Sequence, residues 1–314
     1  MTRTLDLVVN PKAGAGRAAR ALGDVTRELA LAGFNVDVHL TSRPGHAGEL
    51  VRTLLDRSVP VIGIMGGDGT AHEAFGRLRD ETGQLHPATA TTSFALVPAG
   101  TGGDLRKTLG VPQEPRAIAR YYADATPRAF DLGSIDYISH SGAIESRLFV
   151  NIASFGMSGH VDRIVNVGPK WLGGRAAFFV ASLQALVTYR NQPVRVQVDG
   201  SVFYEGHALT VAIANGRAFG GGMFVAPTAD PHDGLLDVVV LGDLSRAQSA
   251  GLSRWLYGGT VLSHPLVRHT RGRVVVAEPT SSEQCLLDVD GETPGRIAAT
   301  FRVLPGAIRM LERA

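Results

Sequence analysis

The chain has 314 residues, of which 44% are hydrophobic and 19% charged, and its formal net charge is only +2. This balance excludes a disordered chain, which would be richer in charge, and a strongly basic nucleic-acid-binding protein. The single cysteine excludes an intramolecular disulfide framework and a cysteine-based zinc site, and the 38 glycines are an excess that needs an explanation.

The first 130 residues alternate between short apolar segments and helical patterns. Strands are predicted at 5–10, 34–40, 59–65 and 94–98, and helices at 18–32, 44–57, 71–78 and 115–123. Strands that alternate with helices at this spacing indicate βαβ units and a mostly parallel sheet. Two of the strands are apolar on both faces, which is typical of a sheet covered by helices on both sides.

From about residue 131 the chain is richer in strands. They are predicted at 149–155, 194–198, 202–204, 209–214, 235–241, 274–277, 286–289 and 298–303, with helices near 175–189 and 246–256. Asp199-Gly200 and Asp290-Gly291 favour hairpin turns. We therefore predict an α/β domain at 1–130, against which 304–314 packs, and a mainly antiparallel β domain at 131–303.

The motif Gly66-Gly67-Asp68-Gly69-Thr70 lies where an apolar strand is predicted to end and a helix to begin. Glycines there allow the backbone to approach a ligand, and free N–H groups at a helix start favour anions. An aspartate would repel phosphate unless a divalent cation lies between them, so the motif indicates a metal-assisted phosphate site. The structural alternative is an ordinary glycine-rich turn with an aspartate cap.

Two further glycine loops follow predicted strands: Pro98-Ala99-Gly100-Thr101-Gly102-Gly103-Asp104 and Asn10-Pro11-Lys12-Ala13-Gly14-Ala15-Gly16-Arg17. Ligands of an open parallel sheet bind outside the carboxyl ends of its strands, so the loops at 66–70 and 98–104 are predicted to face one site. The loop at 10–17 partly matches a dinucleotide-binding fingerprint, with Asp37 near the position of a ribose-binding acid. Its two basic residues favour a phosphate-facing loop instead.

Together the three loops resemble the diacylglycerol kinase catalytic domain family. That family includes bacterial diacylglycerol kinases and YegS-like lipid kinases, and it is similar to sphingosine and ceramide kinases. Two later motifs extend the resemblance over nearly the whole chain: residues 226–237, with Ala226-Pro227 and Asp233-Gly234-Leu235-Leu236-Asp237, and Asp290-Gly291-Glu292. The resemblance implies a Rossmann-like fold of the NAD-kinase and phosphofructokinase type at 1–130, and a β-rich lipid-substrate and metal-binding domain at 131–303.

The resemblance also implies an ATP- and Mg²⁺-dependent lipid kinase and roles for individual residues. Residues implied to bind ATP are Asn10, Lys12, Gly14, Arg17, Gly66, Gly67, Asp68, Gly69, Thr70, Gly100 and Thr101. Asp68 would belong to the Mg²⁺ and catalytic network, and Glu292 would be the general base that takes the proton from the lipid hydroxyl. A structural Mg²⁺ would be held by Asp230, Asp233 and the carbonyl of Leu235, and Asp131 would connect it to the active site.

Two positions depart from the family pattern. Ala15 stands where many members have lysine, so the charge role of that lysine falls to Lys12 or Arg17 or is missing. Gly103 replaces the asparagine of the common G-T-x-N-D sequence, so nucleotide contacts from that side chain are not assumed. From the residues alone, Asp290-Gly291-Glu292 and the Asp230–Asp233 segment also fit plain surface turns.

Three alternative functions remain open at this point. An NAD kinase or other small-molecule kinase shares the Gly-Gly-Asp-Gly-Thr motif. A dinucleotide-dependent oxidoreductase would use the loop at Gly14 and Gly16 together with Asp37. A non-catalytic nucleotide- or lipid-binding protein is compatible with the departures at Ala15 and Gly103.

No targeting or membrane-spanning segment is evident, so we expect a cytoplasmic protein that meets its lipid acceptor, diacylglycerol or a related lipid, at the membrane surface. The basic and aromatic residues Lys170, Trp171 and Arg175, followed by the apolar segment 176–187, are a candidate membrane contact. The alternative is a helix buried on the second-domain sheet. No nucleic-acid partner is expected, and a homodimer is compatible with the sequence.

Overall fold

The computed structural model describes residues 3–80, 82–100, 103–161, 188–282 and 284–313. The chain divides into two compact units, which we call unit 1 (Met1–Asp131 and Pro305–Ala314) and unit 2 (Leu132–Leu304). The candidate membrane contact at 170–187, most of the helix predicted at 175–189, and Thr101 lie outside the described residues.

Unit 1 contains a parallel sheet with strand order β2-β1-β3-β4. Its strands are β1 Arg3–Val9, β2 Phe34–Leu40, β3 Val61–Gly66 and β4 Ser93–Pro98. The end of a long strand, β15 (Gly295–Glu312), pairs in parallel with β4 through Arg309 and Met310. Val9 is level with Met65, and Gly66 is level with Pro98, so the carboxyl ends of three strands lie side by side.

Helices connect these strands and pack against them. The helices are α1 Ala13–Leu31, α2 His46–Asp56, α3 Asp68–Gly76, α4 Asp104–Leu109 and α5 Pro115–Ala123, with a 3₁₀ turn at Pro87–Ala90. All six residues of β3 are buried, as expected for a strand covered on both faces. No helix among the described residues is both long and apolar enough to span a bilayer.

Unit 2 contains antiparallel strands in two sheets. One sheet includes β6 Ile144–Phe149, β8 Gln192–Val198, β9 Ser201–Ala208, β13 Val274–Pro279, the second half of β5 Thr126–Ser139 and the first half of β15. The other has the order β12-β11-β10-β7-β14, with β7 Ile152–Gly156, β10 Thr210–Ala214, β11 Leu236–Leu241, β12 Val267–Gly272 and β14 Leu287–Val289. Helix α6 spans Arg246–Tyr257, and a 3₁₀ turn spans Val261–Ser263.

The two sheets of unit 2 share one apolar core, to which residues of both contribute. Phe155 of one sheet stacks on Phe301 of the other with ring centroids 6.4 Å apart. A second core lies on the other face of the five-stranded sheet and includes Leu252 and Leu256 of α6. Unit 2 is therefore a β-sandwich with a helix on one outer face.

The predicted fold class is confirmed: a mostly parallel α/β unit is combined with an antiparallel β unit. One predicted element is wrong, because residues 149–155 do not form a single strand. Strand β6 ends at Phe149 and β7 begins at Ile152. The Asp290 carboxylate accepts hydrogen bonds from the backbone N–H groups of 150, 151 and 152, which are therefore unavailable to a strand ladder there.

Candidate active site

The loop after β1 has an unusual backbone. Gly14, Ala15 and Gly16 have φ values of 60°, 56° and 79°, so three successive residues are left-handed just after the first residue of α1. Glycine adopts this conformation readily, whereas Ala15 does so at a cost of about 1–2 kcal/mol. The Lys12 side chain is exposed in this loop and has no hydrogen-bond partner among the described residues.

The loops after β3 and β4 touch through their backbones. The Gly66 carbonyl accepts hydrogen bonds from the N–H groups of Ala99 (2.8 Å) and Gly100 (3.1 Å). A Cβ atom at Gly100 would lie 2.6 Å from the Gly67 Cα, and one at Gly66 would lie 2.4 Å from the Thr70 hydroxyl oxygen. Glycine is therefore required where these two loops meet, for close packing rather than for flexibility.

The loop after β1 contacts both of the others. The Asn10 side-chain amide donates to the Thr70 hydroxyl at 3.1 Å, and the Arg17 guanidinium donates to the Gly100 carbonyl at 3.4 Å. A Cβ atom at Gly14 would lie 2.4 Å from the Ala99 carbonyl oxygen. The three glycine loops singled out in the sequence thus converge at the carboxyl edge of the unit 1 sheet.

Asp68 is held at the beginning of α4. Its carboxylate accepts hydrogen bonds from the backbone N–H groups of Gly103 (2.8 Å), Asp104 (3.2 Å) and Leu105 (3.3 Å). Burial raises the pKa of this carboxyl above its usual value, and the nearby negative charge of Asp104 raises it further, while the three hydrogen bonds lower it. The sequence indicates that Asp68 lies beside its own helix, α3, but carries no sign that its carboxylate caps α4.

Asp131 lies in unit 1, on β5, and is 2% exposed. Its carboxylate accepts a hydrogen bond from the backbone N–H of Gly306 at 2.7 Å, where the chain turns with a φ of 58°. This contact secures the returning segment 305–314 within unit 1. A connection of Asp131 to a metal ion stays a prediction.

Asp37 does not lie where a ribose-binding acid would be expected. It is in the middle of β2, level with Asp6 of β1, and not at the carboxyl end of the strand. Its carboxylate is 3.8 Å from His39 Nε2, which in turn contacts Asp6 at 2.9 Å. The residue on which the oxidoreductase alternative depended is therefore away from the converging loops.

The predicted metal-binding segment of unit 2 forms a tight turn before β11. The Asp230 carboxylate accepts from the His232 N–H at 3.2 Å, and the Asp233 carboxylate accepts from the Leu235 N–H at 2.9 Å. The other Asp233 oxygen lies 3.0 Å from the Arg271 guanidinium. Two carboxylates and a carbonyl are hard oxygen donors of the kind that Mg²⁺ prefers, so the residues fit such an ion in chemical type.

The Asp290-Gly291 turn joins β14 to β15, with φ values of 51° and 91°. The hairpin closes through mutual backbone hydrogen bonds between Val289 and Glu292 at 2.8 and 3.1 Å. The Glu292 side chain is 54% exposed, and its carboxylate lies 2.9 Å from the Arg147 guanidinium. This geometry presents one carboxylate from a rigid turn.

Two neighbouring aspartates, for which the sequence predicts no role, make that turn rigid. Asp288 is buried, and its carboxylate accepts from the Gly291 N–H at 2.8 Å and from the Ser154 hydroxyl at 3.0 Å. Asp290 binds three backbone N–H groups of residues 150–152 at 2.8–3.0 Å. A local signal was present, since Asp290 directly precedes the turn glycine and Asp288 lies near it, but Ser154 and residues 150–152 are 134 to 140 residues away in sequence.

Comparisons with known proteins agree with this architecture. Residues 4–135 match the model of the diacylglycerol kinase catalytic domain, and residues 151–312 match that of the YegS C-terminal NAD kinase beta sandwich-like domain. A probable lipid kinase YegS-like from Stenotrophomonas maltophilia is 32% identical over 88% of this chain and 87% of its own. The chain belongs to the diacylglycerol kinase and YegS-like lipid kinase family.

Two further proteins are similar to nearly the whole chain. A diacylglycerol kinase from Mycobacterium tuberculosis is 27% identical over 97% of this chain and 93% of its own. The crystal structure of a diacylglycerol kinase from Bacillus anthracis covers 99% of this chain and 96% of that one, with a TM-score of 0.69 and 23% identity, and it shows the shared fold. The resemblance inferred from the five motifs is thus confirmed, and the coarse function is that of a lipid-kinase-family transferase.

Proposed function

We propose that this protein transfers the γ-phosphate of ATP to the hydroxyl of a lipid, with diacylglycerol or a related lipid as acceptor. The observation that carries the proposal is the convergence of three glycine loops at one sheet edge, through the contacts of Asn10 with Thr70 and of Gly66 with Gly100. Close backbone packing there leaves an edge where a polyphosphate can approach main-chain N–H groups.

Unit 1 supplies the nucleotide-binding residues in this proposal. Gly66, Gly67, Gly69, Thr70 and Gly100 form the phosphate-binding backbone, and Asn10 and Gly14 line the nucleotide site. Lys12 and Arg17 offer positive charge to the phosphates, which is needed because Ala15 carries none. The Asp68 carboxylate, which three backbone N–H groups hold in place, belongs to the Mg²⁺ and catalytic network beside the phosphates.

In this proposal, unit 2 supplies the residues that activate the hydroxyl of the lipid acceptor. Glu292 acts as general base and removes the proton from the lipid hydroxyl, so that the hydroxyl oxygen can attack the γ-phosphorus. Asp288 and Asp290 hold its turn, and Arg147 orients its carboxylate. Asp230, Asp233 and the carbonyl of Leu235 would hold a structural Mg²⁺, and Asp131 would be the acid that connects this ion to the active site. Mg²⁺ bound with ATP neutralises charge on the transferring phosphoryl group.

The test is phosphate transfer from labelled ATP to a panel of lipids in mixed micelles, with and without Mg²⁺. Transfer to a diacylglycerol or a related lipid alcohol that requires Mg²⁺ supports the proposal. Transfer to NAD⁺ and to no lipid would replace it with the NAD kinase alternative, whose C-terminal sandwich fold is shared. Nucleotide binding without transfer to any acceptor would favour the non-catalytic alternative. The protein would meet its acceptor at a membrane surface, and binding to vesicles of that lipid tests this part.

A further inference from the structure

Three side chains that can bind a metal ion meet on one face of the unit 1 sheet. Asp37 and His39 are two residues apart on β2, so they share a face of the strand, and Asp6 of β1 is level with Asp37. One ligand atom from each residue lies within 4.8 Å of the other two. We call these three residues the β1–β2 cluster, and none of them has a role in the proposed phosphate transfer.

The distances within the β1–β2 cluster suit a small cation. His39 Nε2 lies 2.9 Å from an Asp6 oxygen and 3.8 Å from an Asp37 oxygen. Ligand atoms around a tetrahedral zinc ion, with bonds of about 2.0–2.1 Å, are about 3.3–3.4 Å apart, and both measured separations are within about half an ångström of that value. The Asp37 side chain is 69% exposed and therefore has room to rotate towards an ion.

The negative charge of the β1–β2 cluster calls for a divalent cation. Asp6 is only 7% exposed; its Oδ1 atom contacts His39, and its Oδ2 atom has no hydrogen-bond partner among the described residues. In the same part of the chain, neither Asp6 nor Asp37 forms an ion pair with a lysine or an arginine. A protonated His39 would offset one of the two negative charges, whereas a divalent cation would offset both and would bind carboxylate oxygen that is otherwise buried without a partner.

The donor set favours zinc over magnesium or calcium. Mg²⁺ and Ca²⁺ take oxygen ligands, so an imidazole nitrogen between two carboxylates does not suit them. Zn²⁺ binds histidine nitrogen and aspartate oxygen at nearly the same distance, and three protein ligands with one water complete its tetrahedral shell. The ligand class indicated is therefore a divalent transition-type ion, of which zinc fits best.

We propose that Asp6, Asp37 and His39 bind a Zn²⁺ ion, with water as the fourth ligand. Strand β2 is the outermost strand of its sheet and pairs with β1. The ion would link side chains of both strands and would therefore hold this edge strand in place. The site is separate from the converging glycine loops, since Asp6 and Asp37 lie in the middle of their strands.

The experiment measures zinc binding by the full chain, without nucleotide, in competition with a chromophoric zinc chelator. Asp37→Asn removes one carboxylate and His39→Gln removes the imidazole, and we expect each to raise the zinc Kd about tenfold or more. The matched control is His86→Gln. His86 Nε2 also lies 3.0 Å from a carboxylate, that of Asp56, but no second carboxylate is within ion-pair distance of it among the described residues. This control should bind zinc like the wild type.

Thermal melts with and without zinc give an independent readout. Zinc should raise the melting temperature of the wild type and of His86→Gln but not of the two cluster variants, because an ion that binds only the folded chain stabilises it. Asp37→Asn changes an exposed side chain and should fold even if His39→Gln does not.

Two results would overturn the proposal. One is zinc binding that is absent from the wild type or is equal in the wild type and both cluster variants. The other is displacement of zinc by an equal concentration of Mg²⁺, which would indicate a site made of oxygen ligands alone. No arm contains ATP or lipid, so a failed kinase assay leaves this result unaffected.

Discussion

The carboxylate of Asp68 accepts a hydrogen bond from the backbone N–H of Gly103 at 2.8 Å, across 35 residues of sequence. With the neighbouring N–H groups of Asp104 and Leu105, this contact fixes the loop after β4 to the beginning of α3. One side chain therefore serves two functions: it caps α4 and it places a negative charge at the edge where phosphates are proposed to bind.

Replacement of Asp68 should separate its two functions. Asp68→Ala should destabilise the fold by about 1 kcal/mol, the usual cost of losing a helix cap, and should abolish lipid phosphorylation. Asp80→Ala is the matched control, because Asp80 also accepts three hydrogen bonds, from Thr82 and Gln84, but on the surface of unit 1. Thermal melts and labelled-phosphate transfer measure the two effects. Unchanged phosphorylation by folded Asp68→Ala would mean that the proposed active site is wrong.

The fall of activity at low pH should also depend on the protonation of Asp68. Burial and the charge of Asp104 raise the pKa of the Asp68 carboxyl above 3.8. Because the proposed role needs the ionised form, kcat/KM should fall as the pH decreases through this raised pKa. Asp104→Asn removes the repelling charge, so the fall should move to lower pH. A pH profile whose acid limb is the same in both proteins would contradict this account.

Gly100 and Gly69 lie in two loops of the same site but differ in their surroundings. A Cβ atom at Gly100 would clash with the Gly67 Cα at 2.6 Å, so Gly100→Ala should cost about 1–3 kcal/mol of unfolding free energy. Nothing lies within 4 Å of a Cβ atom at Gly69, which is in the first turn of α3. Gly69→Ala should therefore leave stability unchanged or raise it by about 0.5–1 kcal/mol. Chemical denaturation measures both, and equal losses would refute the close-packing argument.

Glu292→Gln should reduce kcat by about a hundredfold or more and leave ATP affinity and the melting temperature nearly unchanged. The reason is that the amide keeps the shape of the side chain but cannot accept the proton. Glu205→Gln is a close control, since Glu205 is 56% exposed and 3.1 Å from Arg195, much as Glu292 is 54% exposed and 2.9 Å from Arg147. If both variants lose activity equally, the loss comes from a broken surface ion pair and not from a missing base.

Cys285 should be chemically inert in the folded protein. It is 2% exposed within the shared core of unit 2, and burial raises the pKa of its thiol to about 12. Because the thiolate is the reactive form, a thiol reagent at neutral pH should not modify the native chain and should modify it once in denaturant. The chain has one cysteine, so mass spectrometry counts the modification directly. Rapid labelling of the native protein would show that this core opens.

The sequence predicted the fold well where local patterns are strong. Strands β2 and β3 and helix α5 follow from apolar periodicity and from Pro115 at the helix start, and both Asp-Gly turns are confirmed by their positive φ values. The break between β6 and β7 was not predictable, because a carboxylate from residue 290 causes it. The extent of β15 was also missed, since apolar alternation was recognised only over part of its 18 residues.

In the candidate site, too, features set by local sequence were predictable and features set by distant contacts were not. The glycine motifs identified the loops that converge, because Gly14, Gly66 and Gly100 each allow a close approach that a Cβ atom would block. The partners of Asp68, Asp288 and Asp290 depend on which segments the fold brings together, and local spacing carries no information about that. Roles of individual residues in catalysis therefore stay predictions, whereas the family and the fold are established.

The long strand β15 has a consequence for how the chain folds during synthesis. The sheet of unit 1 is completed by Arg309 and Met310, which leave the ribosome after all of unit 2. Until then the outer edge of β4 has no neighbour, and an unpaired strand edge is a template for pairing with other chains. Nascent chains stalled before residue 305 should therefore be recognised by chaperones or aggregate, while the emergence of residues 305–314 closes the edge.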